Sequence, residues 1–485
     1  MGNKTNLSNL IRAFLLRYKV IIAFGALALL IYFLDLWMLK HYDFIYDSGG
    51  YWFMRTLFMP HSKFRVTNFD NPVRSYLFPL ILFVISRIGR AFLDDQLRFL
   101  IICEAIAYSF FLTILIPKLV QTLIGRSLSY VYVWVFSLLA VYFWRGYFYY
   151  PLTDIPALIF SCLAVYFALR YYRAWWGGFV VGIFLGASAV IRPSYQIIVI
   201  PFILWLIIFY SGEARLTVKR TVIQTVIVMI GVISVYIPQI MINSSNFGTY
   251  SPFVQTQRVQ GTDLFTQQLI WGITVQKYET NIGDSYPIPG VVFFDGQGEK
   301  ILTDLGLQNL IYIPTDEVVH TDPIPLKLYL DIVLKYPIEF VWIYARHLFN
   351  GLDLRFDTPY LTDVFASSYF RQLLNYSIWF LAIKFVITDF ERIKRSWAKI
   401  APIFLLCLPS VLSIPTAIET RFMLPLHVLC YILVAFFVLP EVLQWAVQDI
   451  KRRVIEGLPS YAIFVVICFL LSSSTYMGLE HLILR

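Results

Sequence analysis

Residues 74–93 read RSYLFPLILFVISRIGRAFL, and whether this stretch crosses a membrane decides the fold. It is apolar for most of a length that, as an α-helix, approaches the ~30 Å of a bilayer's hydrocarbon core. Arg87 and Arg90 nevertheless lie inside it. It either spans or lies along the surface, and the charges in the remaining loops decide between the two.

That the setting is a membrane follows from composition. Of 485 residues, 59% are hydrophobic, 18% aromatic and only 14% charged, against roughly 25% charged in soluble domains. Further apolar runs fall at 20–39, 98–117, 128–147, 154–170, 176–192, 195–210, 221–242, 375–390, 400–418, 422–443 and 460–479. If 74–93 does not span, the loops on the N-terminal side hold Arg12, Arg17 and Lys19, Lys118 and Arg126, Arg170 and Arg173, Arg215, Lys219 and Arg220, Arg392 to Lys399, and Lys451 to Arg453. The short opposite loops then hold almost only Arg192 and Arg421. If it spans, every later loop flips, against the positive-inside rule. The sequence therefore predicts a polytopic α-helical membrane protein with 11 transmembrane helices, a cytoplasmic N-terminus and 74–93 as an outer juxtamembrane helix. The first span is too long for a signal-peptide core and reads as a retained anchor.

This topology brings Asp47, Asp154, Arg192, Glu419 and Arg421 to one outer side, and it yields three regions. Residues 1–242 form an N-terminal transmembrane module whose first outer loop, 40–97, carries the chemistry. Residues 243–374 form a large extracytoplasmic loop of mixed α/β character, and 375–485 the C-terminal transmembrane helices. In the large loop, Asp295-Gly-Gln-Gly298 reads as a hairpin tip. Residues 325–353 read as two surface helices broken at Pro337, with Trp342, Tyr344 and Phe349 at headgroup level.

Several function classes drop out. The net charge of +9 comes from short loops, which is topology and no polyanion site, so nucleic acid is excluded as a partner. The five cysteines, Cys103, Cys162, Cys407, Cys430 and Cys468, lie in apolar stretches without a CxxC pair and read as core residues. His320 and His347 lack metal-ligand partners at useful spacing. Glu104 lies within a span and takes no role. There is no Gly-rich phosphate loop.

Asp47-x-x-x-Tyr51, Asn71-Pro72 and Leu77-Phe-Pro-Leu80 together resemble the first outer loop of GT-C superfamily glycosyltransferases, in the branch of the protein O-mannosyltransferases and the lipid A aminoarabinose transferase. The resemblance extends to Pro151-Leu-Thr-Asp154-Ile-Pro156, Ile191-Arg192-Pro193 and Glu419-Thr-Arg421-Phe-Met-Leu-Pro425. It implies sugar transfer from a polyprenyl-phosphate donor to a glycan, lipid or protein acceptor outside the cytoplasm, in a bacterial or archaeal cell membrane. Two positions depart from the pattern. The acidic pair common after the first span is Asp47-Ser48 here, so a divalent cation is compatible with the chemistry but unsupported, and no cofactor is expected. The Lys-Pro-Pro that often precedes the juxtamembrane helix is replaced by Asn71-Pro72-Val73-Arg74, which moves the basic role to Arg74.

That chemistry needs a carboxylate to take the acceptor's proton and cations for the departing lipid phosphate. Asp47 is the candidate base, with Asp154 as the second catalytic carboxylate; Thr153 and Asp154 also suit a helix cap. Arg74, Arg192 and Arg421 are the candidate phosphate ligands, with Tyr51 and Glu419 beside them. Arg192 also has a snorkelling reading, and Arg421 a structural pairing with Glu419. The competing functions are a flippase or transporter of a lipid-linked glycan, an O-antigen polymerase or ligase, and a membrane scaffold. Paired repeats and midplane charges, which a transporter usually shows, are absent from the sequence pattern.

Overall fold

The computed structural model describes residues 4–483, apart from 61–62, 126, 262, 283–289, 312–323, 365–367, 396 and 445–446. His320 lies outside the described residues. The N-terminal module contains α1 (Lys4–Leu39), α2 (Tyr46–Met54), α3 (Leu77–Leu93), α4 (Gln96–Phe110), α5 (Ile116–Ile124), α6 (Tyr130–Tyr149), α7 (Asp154–Arg170), α8 (Trp175–Ile191), α9 (Gln196–Ser211) and α10 (Val218–Phe247). A π-turn at Phe111–Leu115 joins α4 to α5 as one continuous helix. Among the described residues, seven helices are long and apolar enough to cross a membrane: Tyr18–Leu39, Gln96–Ile124, Tyr130–Tyr149, Pro193–Ser211, Val218–Phe247, Thr420–Val442 and Glu456–Tyr476. Trp175–Ile191 and Ile400–Ser413 are shorter apolar helices. The chain is a helical membrane protein.

The outward faces fit that setting. α10 exposes Val222, Ile223, Val226, Met229, Ile230, Ile233 and Ile237 in a stripe, a surface stable only against lipid or a partner. Its other face meets α8 at backbone contact. A Cβ on Gly182 would stand 2.1 Å from the Val228 carbonyl oxygen, and one on Gly231 would stand 2.4 Å from that of Phe179. Gly178, Gly182 and Gly186 recur every fourth residue, the small-residue spacing that lets membrane helices approach closely. The hydrophobic core runs through α1 and α4 to α9 and contains Leu27, Phe136, Phe143, Trp144, Leu185 and Phe202.

The region after α10 begins with a single turn, α11 (Gln257–Gln260), then α12 (Leu264–Thr274), strands β1 (Val275–Asn281) and β2 (Gly290–Phe294), and α13 (Gly296–Asp304). Helices α14 (Leu326–Lys335) and α15 (Pro337–Leu352) and a short β3 (Tyr360–Leu361) complete it. In the described sheet β1 is central, antiparallel to β2 and parallel to β3. A second apolar core, with Ile270, Ile273, Leu302 and Ile343, sits under α12 to α15. The expected hairpin tip at Asp295 is a helix start instead. The Asp295 carboxylate accepts from the Gln297 and Gly298 amides at 3.0 and 3.3 Å, which caps α13. A Cβ at Gly298 would stand 1.7 Å from the Ile273 carbonyl oxygen, so this glycine serves close packing and no turn. Pro337 does separate two helices, opening the second, where its missing N–H costs nothing. Trp342 is exposed, whereas Phe349 packs on Tyr376 and Trp379 and faces the bundle.

The C-terminal part comprises α16 (Tyr369–Thr388), α17 (Phe390–Arg395), α18 (Trp397–Ser413), α19 (Leu424–Leu433), α20 (Leu439–Val442) and α21 (Val447–Ile483), with a π-turn at Val434–Val438 between α19 and α20. Between α18 and α19 the chain docks on β1 and α12. The Tyr278 amide donates to the Ile418 carbonyl at 2.8 Å, and the Ala417 amide to that of Gln268 at 3.2 Å.

Candidate functional site

Asp47 lies in the first turn of α2, where the helix dipole favours a carboxylate. Its neighbour Ser48 is fully buried, its Oγ donating to the Ile45 carbonyl at 2.7 Å and its amide to the Tyr360 hydroxyl at 3.1 Å. Ser48 is therefore turned into the protein, away from Asp47's partners. Among the described residues, no group of three or more His, Cys, Asp or Glu is arranged to hold a metal ion.

Arg74 is aimed by a local turn. The Asn71 carboxamide oxygen accepts from the amides of Val73 and Arg74 at 2.9 and 2.8 Å, the turn chemistry to which Asn is suited. The guanidinium then reaches Asp47 Oδ1 at 2.6 Å and lies 5.5 Å from the Tyr51 ring centre. Arg421 approaches the same carboxylate from the far end of the chain: its Nη2 is 2.8 Å from Asp47 Oδ2, and its Nε 2.6 Å from Glu419. Each Asp47 oxygen thus carries its own guanidinium. Burial would raise the Asp47 carboxyl, but Arg74, Arg421 and Arg192 outweigh it and hold it well below the usual carboxylate range. Burial pushes Glu419 the other way, and Arg421 offsets that only in part.

Arg192 follows α8 in extended backbone, as the residue before Pro193 must. Its Nη1 is 2.7 Å from Asp154 Oδ1 and 3.4 Å from Thr153 Oγ1, with the Phe422 ring centre 5.1 Å away. Thr153 makes no capping bond to α7, and Asp154 spends its Oδ1 on Arg192, so neither acts as the expected cap. The Asp154 side chain is only 5% exposed, against 29% for Asp47.

Asp47, Tyr51, Arg74, Arg192, Glu419 and Arg421 line one cavity of about 850 Å³. Asp154 does not line it. It lines an adjoining void of about 10 Å³ together with Arg192 and Arg421, and its pairing with Arg192 makes its carboxylate a support for that guanidinium. Ile191, Ile197, Phe253, Leu264, Phe265 and Leu412 form an apolar wall. Ile197, Phe253 and Phe265 are also exposed, so this wall runs out to the protein surface. Trp271, Tyr278, Gln268 and Thr416 form a further, mixed wall.

The structure adds supporting residues to these. Glu279 on β1 is buried; its Oε1 accepts from Thr420 Oγ1 at 2.9 Å and lies 3.4 Å from the buried ammonium of Lys277. It thereby holds the residue between Glu419 and Arg421. Tyr360 is placed beside Ser48 by a strand more than 300 residues away in sequence. His347 is buried, with Nδ1 2.6 Å from the Ile414 carbonyl, and burial lowers its pKa to about 4, so it is a neutral structural residue. Asp35 of α1 and Glu104 of α4 are both buried in the helical core, and the first of these escaped the sequence reading.

Comparison of the chain with protein-family models, curated proteins and solved structures gives no match.

Proposed function

We propose that the chain is a glycosyltransferase of GT-C type that moves a sugar from a polyprenyl-phosphate donor to an acceptor on the outer side of the membrane. One observation carries this reading: a carboxylate and three guanidiniums meet at one end of a cavity whose adjoining wall is apolar and reaches the surface. The donor has matching parts, an anionic phosphate joined to a long apolar chain. Arg74, Arg192 and Arg421 hold the phosphate, which arginine does well because it stays charged and donates in a fork. Asp47 takes the acceptor hydroxyl's proton as that oxygen bonds to the anomeric carbon. The bond from that carbon to the phosphate oxygen breaks, and the lipid phosphate leaves with the electron pair. Trp271 and Tyr278 offer the sugar and acceptor flat faces with polar edges.

The helix ends support α3 as a surface helix, the point on which the reading of eleven crossings turns. Tyr149, the last residue of α6, hydrogen-bonds through its hydroxyl to the Tyr42 carbonyl just beyond α1, at 2.5 Å. α1 and α6 thus end on one side, and the α4–α5 helix between them starts there. α3 then begins and ends on that side, as a surface helix does. Reporter fusions after residues 60 and 300 are expected to read outside, and fusions after 122, 217 and 395 to read cytoplasmic. An outside signal at 122 would make α3 a span and break this reading.

The activity test is reconstitution in liposomes with a polyprenyl-phosphate sugar labelled in the sugar. The label is expected to pass to an added acceptor while free polyprenyl phosphate accumulates one for one. Movement of intact donor across the bilayer without its consumption would replace transfer by transport.

A further inference from the structure

The donor phosphate and the protein's own Asp47 carboxylate need the same partners. Arg74 reaches one Asp47 oxygen at 2.6 Å and Arg421 the other at 2.8 Å. A carboxylate so bridged has both oxygens engaged by donors and is a poor acceptor for a further proton. Two guanidiniums so bridged already have their anion. Neither half of the site can do its work while this pairing holds.

We propose that the incoming phosphate displaces Asp47 from Arg74 and Arg421, so that donor binding itself frees the base. This rests on the glycosyltransferase reading and adds an order of events to it. Asp47 occupies the anion position between the two guanidiniums; phosphate takes that position; the released carboxylate then faces the acceptor hydroxyl and receives its proton. The exchange keeps the site near electrical balance throughout, because a lone cationic pair in a half-closed cavity is costly. The depressed pKa of Asp47 has the sign this requires, since its cause is the same arginines. Their removal to phosphate raises the carboxyl toward its ordinary value and makes it a better base. Glu419 stays on Arg421 Nε at 2.6 Å, at a different nitrogen from the one Asp47 uses, so the guanidinium keeps an anchor during the exchange. The arrangement also has a use: a base silent without donor does not activate water or an acceptor prematurely.

The consequence that sets this apart is the size of a gain in binding. Removing a carboxylate that only stands near the anion lifts a through-space repulsion and raises affinity modestly. Removing a displaced internal anion raises it further, because that anion competes for the same donors. In Asp47→Asn the competing charge is gone, so affinity for inorganic phosphate, measured calorimetrically on the purified full chain, is expected to rise about tenfold, the equivalent of about one charge-assisted hydrogen bond regained. Phosphatidylcholine vesicles carrying a polyprenyl phosphate are expected to show the same gain. A gain with the vesicles alone also supports the exchange and assigns the headgroup to a lipid. Glu419→Gln sets the scale of repulsion alone, because the exchange leaves that charge in place, and a gain of no more than about two- to threefold is expected of it; should Asp47→Asn not fold, Asp47→Ser removes the same competing charge. A gain no larger than that of Glu419→Gln, or none, with both probes overturns the proposal. The two readings fail separately. Tighter phosphate binding by the variant alongside a wild-type protein that transfers no sugar removes the enzyme reading alone. Transfer by the wild type alongside unchanged variant affinity removes the exchange alone.

Discussion

Replacing Asp47 with Asn is expected to lower sugar transfer by about 10²-fold or more while the protein stays folded, the usual scale for loss of a general base. The carboxamide keeps the size and one acceptor oxygen, so α2 keeps its place. Ser48, through its bonds to Ile45 and Tyr360, anchors the turn independently of the Asp47 side chain. What disappears is the ability to accept a proton. Initial rates at saturating donor separate this from a donor-binding defect, because the same substitution is expected to tighten anion binding. A rate loss that survives saturation is therefore a chemical one. Retention of more than a tenth of wild-type transfer would assign the base elsewhere, and the structure changes which residue comes next. Asp154 is the first alternative from sequence order, but it lies behind Arg192 and outside the cavity. Glu419 lines the cavity, and burial moves it toward the pKa a base needs. Glu419→Gln would then show the larger loss.

The parts of this site that were legible in sequence are those written in local chemistry. Ile191-Arg192-Pro193 sets Arg192 at a helix end because proline forces extended backbone before it. Asn71 aims Arg74 through a turn that any Asn at that spacing favours. Loop charge counting put Asp47, Arg192 and Arg421 on one side. It could not see that Asp47 and Arg421, 374 positions apart, are bonded, because hydropathy reports depth and side and says nothing of azimuth around the bundle. Base and phosphate ligands therefore looked like separate groups, whereas they form one ion-paired unit. Glu279 and Lys277 were invisible for a similar reason: an alternating strand with a charged residue ordinarily turns that residue to water, and only the tertiary fold buries both. Asp295 was misread because Asp-Gly serves hairpin tips and helix starts alike, and the contact that decides, Gly298 against Ile273, is again nonlocal.

Arg421→Ala is expected to lower transfer by about 10²- to 10³-fold, the cost of removing one preorganised donor from a developing oxyanion. The guanidinium donates to Asp47 from Nη2 and is ion-paired with Glu419 at Nε, and only 14% of its side chain is exposed. Charge-assisted bonds in such a setting are worth roughly 1.5–3 kcal/mol each. Arg421→Lys keeps the charge but loses the fork, so it is expected to fall between wild type and Ala without restoring wild-type rates. The bland alternative is that Arg421 exists to neutralise Glu419. Under that reading the damage in Arg421→Ala comes from a stranded acid, and removing Glu419 as well should restore both folding and transfer. Glu419 is held in place by a segment zipped to β1, through Ile418 to Tyr278 and Thr420 to Glu279, so the double Ala variant keeps its backbone frame and the comparison is fair. A phosphate ligand predicts that the double variant folds at least as well as Arg421→Ala, judged by thermal unfolding in detergent, and stays as inactive. Stability and activity then part company, which a purely structural ion pair cannot produce. Recovery of transfer in the double variant would remove Arg421 from the phosphate site and leave Arg74 and Arg192 to hold the donor.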